Sequence, residues 1–421
     1  MIPTLRILTL YTLLTVALCT QAASIDITAS FNPSIANPEN NEFTNTTPQS
    51  GFCANSPSSC IGFHGIKLPL SAYTSKPITP NSSIRDGVFF RIPSAIRRIS
   101  LLNETTGEYA TVFFRTNLIS VRYTPNTGGT NTWGLSGKDS IGYPENTSQN
   151  GCSSSSGTGD VLSSGEKWAE FGWFIGTNSL GCYRLSGITR QHVEYSDISI
   201  GYKLQAPNPL KMSAGIYTGE YTFMVGAGQD FDFGDNFLVS DTLLTVKFKL
   251  TVTHELKLTV LPDDQNVALQ PCATSSVCSE DDGKANWERW MVSRIPPALT
   301  GRSSFYLSSS GTFTVHLACE QQIGSDCALK SDRMPSQQVP VRTLLTLPSN
   351  IVDNATGSTI VKQTLQTSND KKQTFATKSF GQNKKGSIDF MVSNKDVETM
   401  LKTRPDTYRG AVTIIFDPTI D

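Results

Sequence analysis

Side chains able to perform catalysis are present in this sequence, but their spacing matches no catalytic motif. The sequence has no HExxH pair, no GxSxG nucleophile motif, no phosphate-binding loop and no dinucleotide-binding glycine pattern. Its histidines lie far apart, and no nearby cysteine or carboxylate pattern would complete a triad. We therefore predict that the chain is not an enzyme and has no cofactor or metal. A secreted glycoside hydrolase is the alternative, because paired acids from distant loops leave no local motif.

One acidic run has some of the residues of a calcium loop. Over residues 230–235, aspartate alternates with phenylalanine before a glycine and a further aspartate. The spacing lacks the glycine at position six and the glutamate at position twelve that an EF-hand requires. We interpret the run as a strand and turn whose acidic side chains face outward.

Tryptophans are the best candidates for ligand contacts. Trp168 and Trp173 lie in an aromatic stretch before Cys182, and Trp133 lies in a segment, residues 124–164, that is rich in Gly, Ser, Asn and Thr. We expect that segment to be a long surface excursion. An exposed tryptophan often marks a binding surface, because its face stacks on sugars and other flat ligands. Trp133 is the leading prediction, since Trp168 and Trp173 also fit as core anchors.

The first 22 residues have the pattern of a secretory signal peptide. Arg6 supplies a short basic region, an apolar run follows over residues 7–18, and residues 20–22 form a small-x-small cleavage site. The apolar run is shorter than the roughly 20 residues that a membrane span needs, and no later stretch approaches that length. We predict that the mature protein is exported.

The cysteine count predicts disulfides. Cleavage would remove Cys19 and leave eight of the nine cysteines, four in each half of the chain. The sequence contains no CxxC pair that would indicate a metal site. In an oxidising compartment we therefore expect two disulfides in each half and none between the halves. Short gaps favour two pairings, Cys53 with Cys60 and Cys319 with Cys327. Sequence alone does not settle the connectivity, which also involves Cys152, Cys182, Cys272 and Cys278.

The composition suits a neutral, β-rich exported protein. The 421 residues include 35 Lys and Arg against 36 Asp and Glu, which gives no electrostatic reason to expect a nucleic-acid partner. Charged residues make up 17% of the chain, below the average of about 25% for soluble domains. Alternating and β-branched runs divided by Gly, Pro, Asn and Ser predict an all-β fold with β-sandwich domains.

A domain boundary is predicted near residue 260. Two strand-like stretches, residues 244–252 and 256–261, almost meet before Pro262 breaks the pattern, and a new group of cysteines then begins. We therefore expect a first domain over residues 23–257 and a second over residues 258–421.

The C-terminal residues have the pattern of a strand with one apolar face. The residues of equal parity on that face are Tyr408, Gly410, Val412, Ile414 and Phe416. A terminal alternating strand led by Tyr-x-Gly resembles the C-terminal motif of pilin subunits from the bacterial chaperone–usher pathway. Such pilins are immunoglobulin-like sandwiches that lack their seventh strand, and a strand from a chaperone or the next subunit fills the groove. The resemblance implies that these five residues form the chaperone and donor-strand interface.

The presence of a first domain makes the whole chain resemble a two-domain fimbrial tip adhesin, most strongly over residues 210–421. This resemblance implies a jelly-roll, lectin-like receptor-binding domain followed by an incomplete immunoglobulin-like pilin domain. The implied partners are a periplasmic pilus chaperone, an outer-membrane usher, the donor strand of an adjacent pilin, and a host or surface glycan or glycoprotein. The implied location is the pilus tip, reached through the periplasm. Four cysteines in the second domain exceed the single disulfide common in that family.

A eukaryotic secreted β-sandwich glycoprotein is a further alternative. Five asparagines stand in Asn-x-Ser/Thr sequons: Asn45, Asn81, Asn103, Asn146 and Asn354. In a chain this rich in Asn, Ser and Thr, several sequons arise by chance, so we favour the adhesin interpretation.

Overall fold

The computed structural model describes most of the chain. The described residues are 22–34, 36–37, 41–126, 143–145, 151–154, 164–165, 168–177, 179–273, 276–367 and 372–418. The predicted signal peptide up to residue 21, most of the 124–164 excursion and Trp133 lie outside them. Within these ranges, no helix is long and apolar enough to cross a membrane.

The protein is all-β, as predicted. Strands β1 to β15 are Ala23–Phe31, Thr44–Asn45, His64–Lys67, Ala72–Thr74, Val88–Phe90, Arg97–Asn103, Tyr109–Asn126, Cys152–Ser154, Ser164–Gly165, Trp168–Ile175, Cys182–Arg184, His192–Gln205, Gly215–Met224, Phe237–Val239 and Leu243–Val252. Strands β16 to β28 are Leu256–Val260, Gln270–Cys272, Ala298–Ser309, Thr312–Cys319, Gln322–Ile323, Asp326–Ser331, Gln338–Thr346, Ile351–Asp353, Gln363–Leu365, Gln373–Thr377, Gly381–Val392, Tyr408–Arg409 and Val412–Asp417.

Three short or medium α-helices accompany the described strands: α1 (Phe52–Asn55), α2 (Glu280–Ser293) and α3 (Asn394–Met400). Helix α2 was not predicted, although its start has a sequence signature. The Ser279 hydroxyl accepts a hydrogen bond from the Asp282 amide at 3.2 Å, and the Asp282 carboxylate accepts one from the Ser279 amide. This reciprocal capping box satisfies two amides that an isolated helix end would leave unpaired.

The strands fall into two sets that share no sheet in the described part of the chain. Strands β1 to β15 pair among themselves, and β16 to β28 pair among themselves. We call the first set domain one and the second set domain two. The change falls at residues 253–255, between Val252 and Leu256. The expected boundary after residue 257 stays a prediction, and residue 257 lies inside β16.

Domain one is built on a 13-stranded sheet, whose main path is β14-β4-β12-β7-β6-β13-β15-β1-β2. Strand β7 pairs with β12 along one edge, and with β6 and then β10 along the other. The sheet therefore divides at β7 into two arms. Apolar residues from both arms, among them Phe248 and Phe171, belong to one buried core.

Trp173 is a member of this core. Its side chain is fully buried, and its ring lies 5.2 Å from that of Phe90 and 5.5 Å from that of Phe171. The alternation of β10 explains the burial, since Phe171 and Trp173 share the inward parity while Glu170 and Gly172 have the other. Trp173 therefore offers no surface to a ligand, and it is removed from the predicted ligand contacts.

Domain two has two sheets, with orders β16-β18-β26-β22-β21-β20 and β23-β25-β19-β28. Phe305 from the first sheet and Phe313 and Phe375 from the second belong to a single core. Residues of alternating burial supply that core, as in β22, where Val339, Val341 and Leu345 are buried. This arrangement is a two-layer β-sandwich.

The predicted disulfide bonding is confirmed. The structure joins Cys53 to Cys60, Cys152 to Cys182, Cys272 to Cys278, and Cys319 to Cys327. None of these bonds connects the two domains. Two of the bonds hold irregular segments: Cys53–Cys60 closes the segment that contains α1, and Cys272–Cys278 closes the segment that leads into α2.

The acidic run at residues 230–235 is held by arginines, and one of its side chains points inward. Asp232 is 1% exposed, and its carboxylate accepts two hydrogen bonds of 3.1 Å from the Arg85 guanidinium. Arg85 also binds Asp235, and Arg97 lies 3.4 Å from Asp230. The expectation that these acids all face outward was wrong for Asp232, because a bidentate arginine compensates the burial of its charge.

Replacement of Trp173 by alanine should destabilise domain one strongly. A buried tryptophan leaves a large cavity when truncated, so we expect a loss of about 3–5 kcal/mol in the free energy of unfolding. Urea titration followed by circular dichroism would measure it. The half-buried Trp168 is the matched control, and Trp168→Ala should cost much less. Equal losses for the two variants would contradict the core assignment.

Candidate functional site

Strand β28 (Val412–Asp417) forms one edge of a domain-two sheet. It pairs antiparallel with β19, from Val412 opposite Cys319 to Asp417 opposite Thr314. Among the described residues no strand pairs with its other side. Over residues 412–416, this edge therefore leaves a row of backbone amide and carbonyl groups open to an added strand.

The apolar side chains of β28 reach the core without being fully covered. Val412, Ile414 and Phe416 are half-buried and pack against the domain-two core. The Phe416 ring lies 5.5 Å from that of Phe305 and 6.0 Å from that of Phe313. The interior of the sandwich is thus partly open along this edge.

Tyr408 belongs to a different pairing, and Gly410 lies between the two strands. The expected single strand is divided in two, because β27 (Tyr408–Arg409) pairs with β21 of one sheet and β28 pairs with β19 of the other. Gly410 lies at the crossing, where a Cβ atom would be 2.5 Å from the Ala328 carbonyl oxygen. No larger residue fits so close a backbone contact. Tyr408 packs against the same core as β28.

A second candidate region lies on the outer face of the domain-one sheet. Trp168, Glu170, Ser120 and Arg122 occupy adjacent positions of β10 and β7, with the parity opposite to that of the core residues. The Arg122 guanidinium lies 4.2 Å from the Trp168 ring centre, and its Nη1 atom lies 2.8 Å from an Asp197 carboxylate oxygen. An aromatic face combined with charged hydrogen-bonding groups is the usual composition of a sugar site.

Asp197 holds the cationic side of this cluster in place. It lies in a bulge of β12, with a positive φ of 47°. Its carboxylate binds both Lys67 and Arg122. The hydrogen bond from Lys67 is the main cause that lowers the pKa of Asp197, which therefore stays ionised at neutral pH.

Glu170 is the most deeply buried acid of the cluster. Its side chain is 2% exposed, and its one described hydrogen bond is with the Asn55 amide at 3.4 Å. Burial raises the pKa of Glu170, and the charge of Arg122 opposes that rise only in part. Nearby, Ser120 Oγ and Arg122 Nε are buried without a hydrogen-bond partner in the described structure. These polar atoms are unusual, since buried polar groups are nearly always paired.

Sequence reasoning found part of this cluster. It identified Trp168, which the structure places half-buried beside Arg122, but it missed Arg122 and Glu170. The alternation of β7 and β10 would have placed both on the Trp168 face, given the pairing of Arg122 with Glu170. That register was the missing information. Among the described residues, there is no group of histidine, cysteine and acidic side chains that could hold a metal ion.

Comparisons with known proteins gave only distant structural likenesses. No protein-family model matches the chain, and no curated protein matches it. The solved structures to which it is similar include tip adhesins of chaperone–usher pili.

Three of these structures illustrate the likeness. The chaperone–tip adhesin complex of CFA/I fimbriae has a chain with 10% identity and a TM-score of 0.23, over 95% of this chain and 97% of that one. CfaE, the adhesive subunit of CFA/I fimbria of enterotoxigenic Escherichia coli, has 9% identity and a TM-score of 0.23, over 94% and 92%. The CsuC–CsuE complex from archaic Csu pili of Acinetobacter baumannii has 11% identity and a TM-score of 0.21, over 94% and 99%. Likenesses with TM-scores this low carry no argument about function.

Glu170 should make stability depend on pH. Its pKa is raised above the ordinary value of 4.5, so the unfolded chain loses this proton at lower pH than the folded chain does. The stabilisation by protonated Glu170 is complete below pH 4.5 and is lost as the pH rises through the folded pKa. The unfolding free energy of the wild type should therefore fall, relative to that of Glu170→Gln, as the pH rises. Urea titrations from pH 4 to 7.5 would measure it, and a difference that does not change with pH would contradict the assignment.

Proposed function

We propose that the protein is a tip adhesin of a chaperone–usher pilus, in which domain two accepts a donated strand and domain one binds a glycan or glycoprotein. The observation that carries this proposal is the open edge of β28. The outer side of this strand lacks a partner strand in the described structure, and the side chains on its inner face are only half-covered. One added strand with alternating apolar residues would satisfy both the backbone and the core.

The opposite edge of the same sheet is less suited to pairing with an added strand. Strand β23 (Ile351–Asp353) has three residues, and its Ile351 and Val352 are already buried. The β28 edge is twice as long, and its apolar side chains Val412, Ile414 and Phe416 remain partly accessible. Acceptance of a strand is therefore proposed for β28 alone.

The proposed partners follow from this edge. A periplasmic chaperone would cover β28 during export. At an outer-membrane usher, the donor strand of an adjacent pilin would then take the place of the chaperone. The pilus tip is then the proposed location, since a chain whose C-terminal domain accepts a strand and whose other domain binds a ligand fits at the end of a fibre.

The proposed ligand surface of domain one combines Trp168 with the charged groups beside it. Arg122 and Lys67 donate hydrogen bonds at one side, and Asp197 accepts them. Trp133, outside the described residues, remains a proposed contact from the sequence. Binding by one such surface should be weak, from micromolar to millimolar, worth about 4–8 kcal/mol. Many pili acting together would strengthen it.

A glycoside hydrolase would need two accessible acids with pKa values pushed apart. Glu170 and Asp197 have pKa values shifted in opposite directions, upward and downward. However, Glu170 is 2% exposed, and Lys67 and Arg122 engage the Asp197 carboxylate. Neither acid is therefore positioned to reach a glycosidic bond, and binding is the function that this geometry favours.

A peptide with alternating apolar residues should bind the mature chain along β28 and stabilise it. At a concentration one hundred times its dissociation constant, the peptide should add about 2.7 kcal/mol to the unfolding free energy of domain two. Thermal unfolding with and without peptide would measure this. Ile414→Asn should weaken the effect, because it removes an apolar contact inside the groove.

Two controls make this experiment specific. A peptide of equal composition without the alternation should not stabilise the chain. Ile323→Asn changes another partly exposed isoleucine, on the short strand β20, and should leave the peptide's effect unchanged. Absence of any stabilisation by the alternating peptide would refute the proposal that β28 accepts a strand.

Trp168→Ala and Trp133→Ala should each weaken glycan binding by the mature chain about tenfold, equivalent to ~1.4 kcal/mol, while the fold is retained. A glycan array followed by titration of the best ligand would measure this loss. Tyr109→Ala is the matched control, because Tyr109 is 72% exposed at the opposite end of β7.

The possible outcomes distinguish a wrong assignment of the binding residues from a wrong function. If both tryptophan variants bind as well as the parent, the site lies elsewhere on domain one. If the parent binds no glycan or glycoprotein, or cleaves the sugars it binds, the adhesin proposal fails.

A further inference from the structure

Helix α2 presents an apolar surface to solvent. Its residues Trp287, Met291 and Val292, together with Ile295 just after it, are exposed, and Val292 is 87% exposed. The 14-residue helix buries only Gly283 and Trp290. We call the four exposed residues the α2 patch. Contiguous exposed apolar side chains of this kind mark an interaction surface, and nothing in the described chain covers them.

The α2 patch is firmly attached to domain two. The Asn286 amide donates to the Pro271 carbonyl at 3.1 Å, and the Cys272–Cys278 disulfide fixes the segment that leads into the helix. The rings of Trp287 and Trp290 lie 4.6 Å apart, so the buried tryptophan supports the exposed one. The patch is therefore a fixed feature of the surface.

Strand register places α2 at the end of domain two that is remote from domain one. Along β18, Ser309 pairs with Leu256, the first residue after the domain junction, whereas Ala298 pairs with Cys272 beside α2. These two positions on β18 are 11 residues apart, about 36 Å at the rise of a strand. Domain one thus occupies one end of domain two, and α2 lies at the other.

Strand β28 begins at the α2 end. Its first residue, Val412, pairs with Cys319, and its last, Asp417, pairs with Thr314 near the junction. The segment that leads into β27 and β28 also contacts α2, because the Arg404 guanidinium lies 5.9 Å from the Trp290 ring centre. The residues that lead into β28 therefore lie at the same end of domain two as α2.

We propose that the α2 patch is the docking surface for the folded body of the neighbouring subunit whose segment pairs with β28. This inference rests on the proposed function. A donated segment must leave the β28 edge at one of its two ends, and domain one occupies the junction end. The body attached to that segment therefore lies at the free end, against α2.

The chemistry beside the patch describes the matching surface. A cavity of about 590 Å³ adjoins the patch, with Pro296, Pro297 and Met391 in its lining and Arg289 and Arg342 at its polar side. The neighbouring subunit should therefore present an apolar residue for this cavity, together with carboxylates for the arginines.

The test compares two probes on the full mature chain: the purified neighbouring subunit with its strand-donating extension, and a synthetic peptide of that extension alone. The double variant Val292→Asp/Ile295→Asp should bind the whole subunit at least tenfold more weakly than the parent does. Its affinity for the peptide should be unchanged. Val361→Asp is the control, since Val361 is 68% exposed on domain two outside the patch, and it should affect neither probe.

Each outcome is decisive. Binding of the whole subunit that is equally tight for parent and double variant, with peptide binding intact, overturns the docking surface and leaves the proposed function standing. Failure of the parent to bind either probe overturns both proposals. Sedimentation of the parent as a dimer, with the double variant monomeric and equally able to bind the subunit, would assign the patch to a second copy of this chain instead.

Discussion

Strand β28 has a hydrogen-bonded neighbour on one side and, in the described structure, none on the other. Water can solvate its free amide and carbonyl groups, but it cannot cover the apolar faces of Val412, Ile414 and Phe416, which lie over the domain-two core. A strand added from another chain would complete the ladder and close the core in a single step. We therefore propose that the stability of domain two depends on a partner strand.

Domain one is covered on both faces where β7 and β10 meet. The inner face carries Phe171 and Trp173 into the large core. On the outer face, α1 and the Cys53–Cys60 disulfide cover Leu118 and Phe52 in a small separate core. The polar cluster around Arg122 begins where this cover ends, so its buried polar atoms lie at the margin of a packed layer. Ligand recognition is thus proposed for a closed, rigid domain, and strand acceptance for an open one.

The sequence was most informative where a local pattern decides the structure. Alternation was enough to predict the all-β fold and the inward face of the C-terminal strand, and short spacings favoured two of the four disulfides. It was insufficient where distant pairing decides. The exchange of sheets at Gly410 depends on the position of the Ala328 carbonyl, and the inward turn of Asp232 depends on Arg85, 147 residues away. Helix α2 is a different case: it was not predicted, although the capping box formed by Ser279 and Asp282 is a local signal of its start.

A short junction connects the two domains. Three residues, 253–255, connect β15 to β16, and His254 among them contacts both domains. Its Nε2 atom donates to the Met212 carbonyl at 2.8 Å, its ring packs edge-on against Phe31, and a Cβ atom at Gly311 would lie 2.8 Å from it. Burial lowers the pKa of His254, which keeps the ring neutral in this packed setting. Because this junction occupies one end of domain two, we propose that a donated strand connects to its subunit at the other end, where Tyr408, the start of β28 and α2 lie.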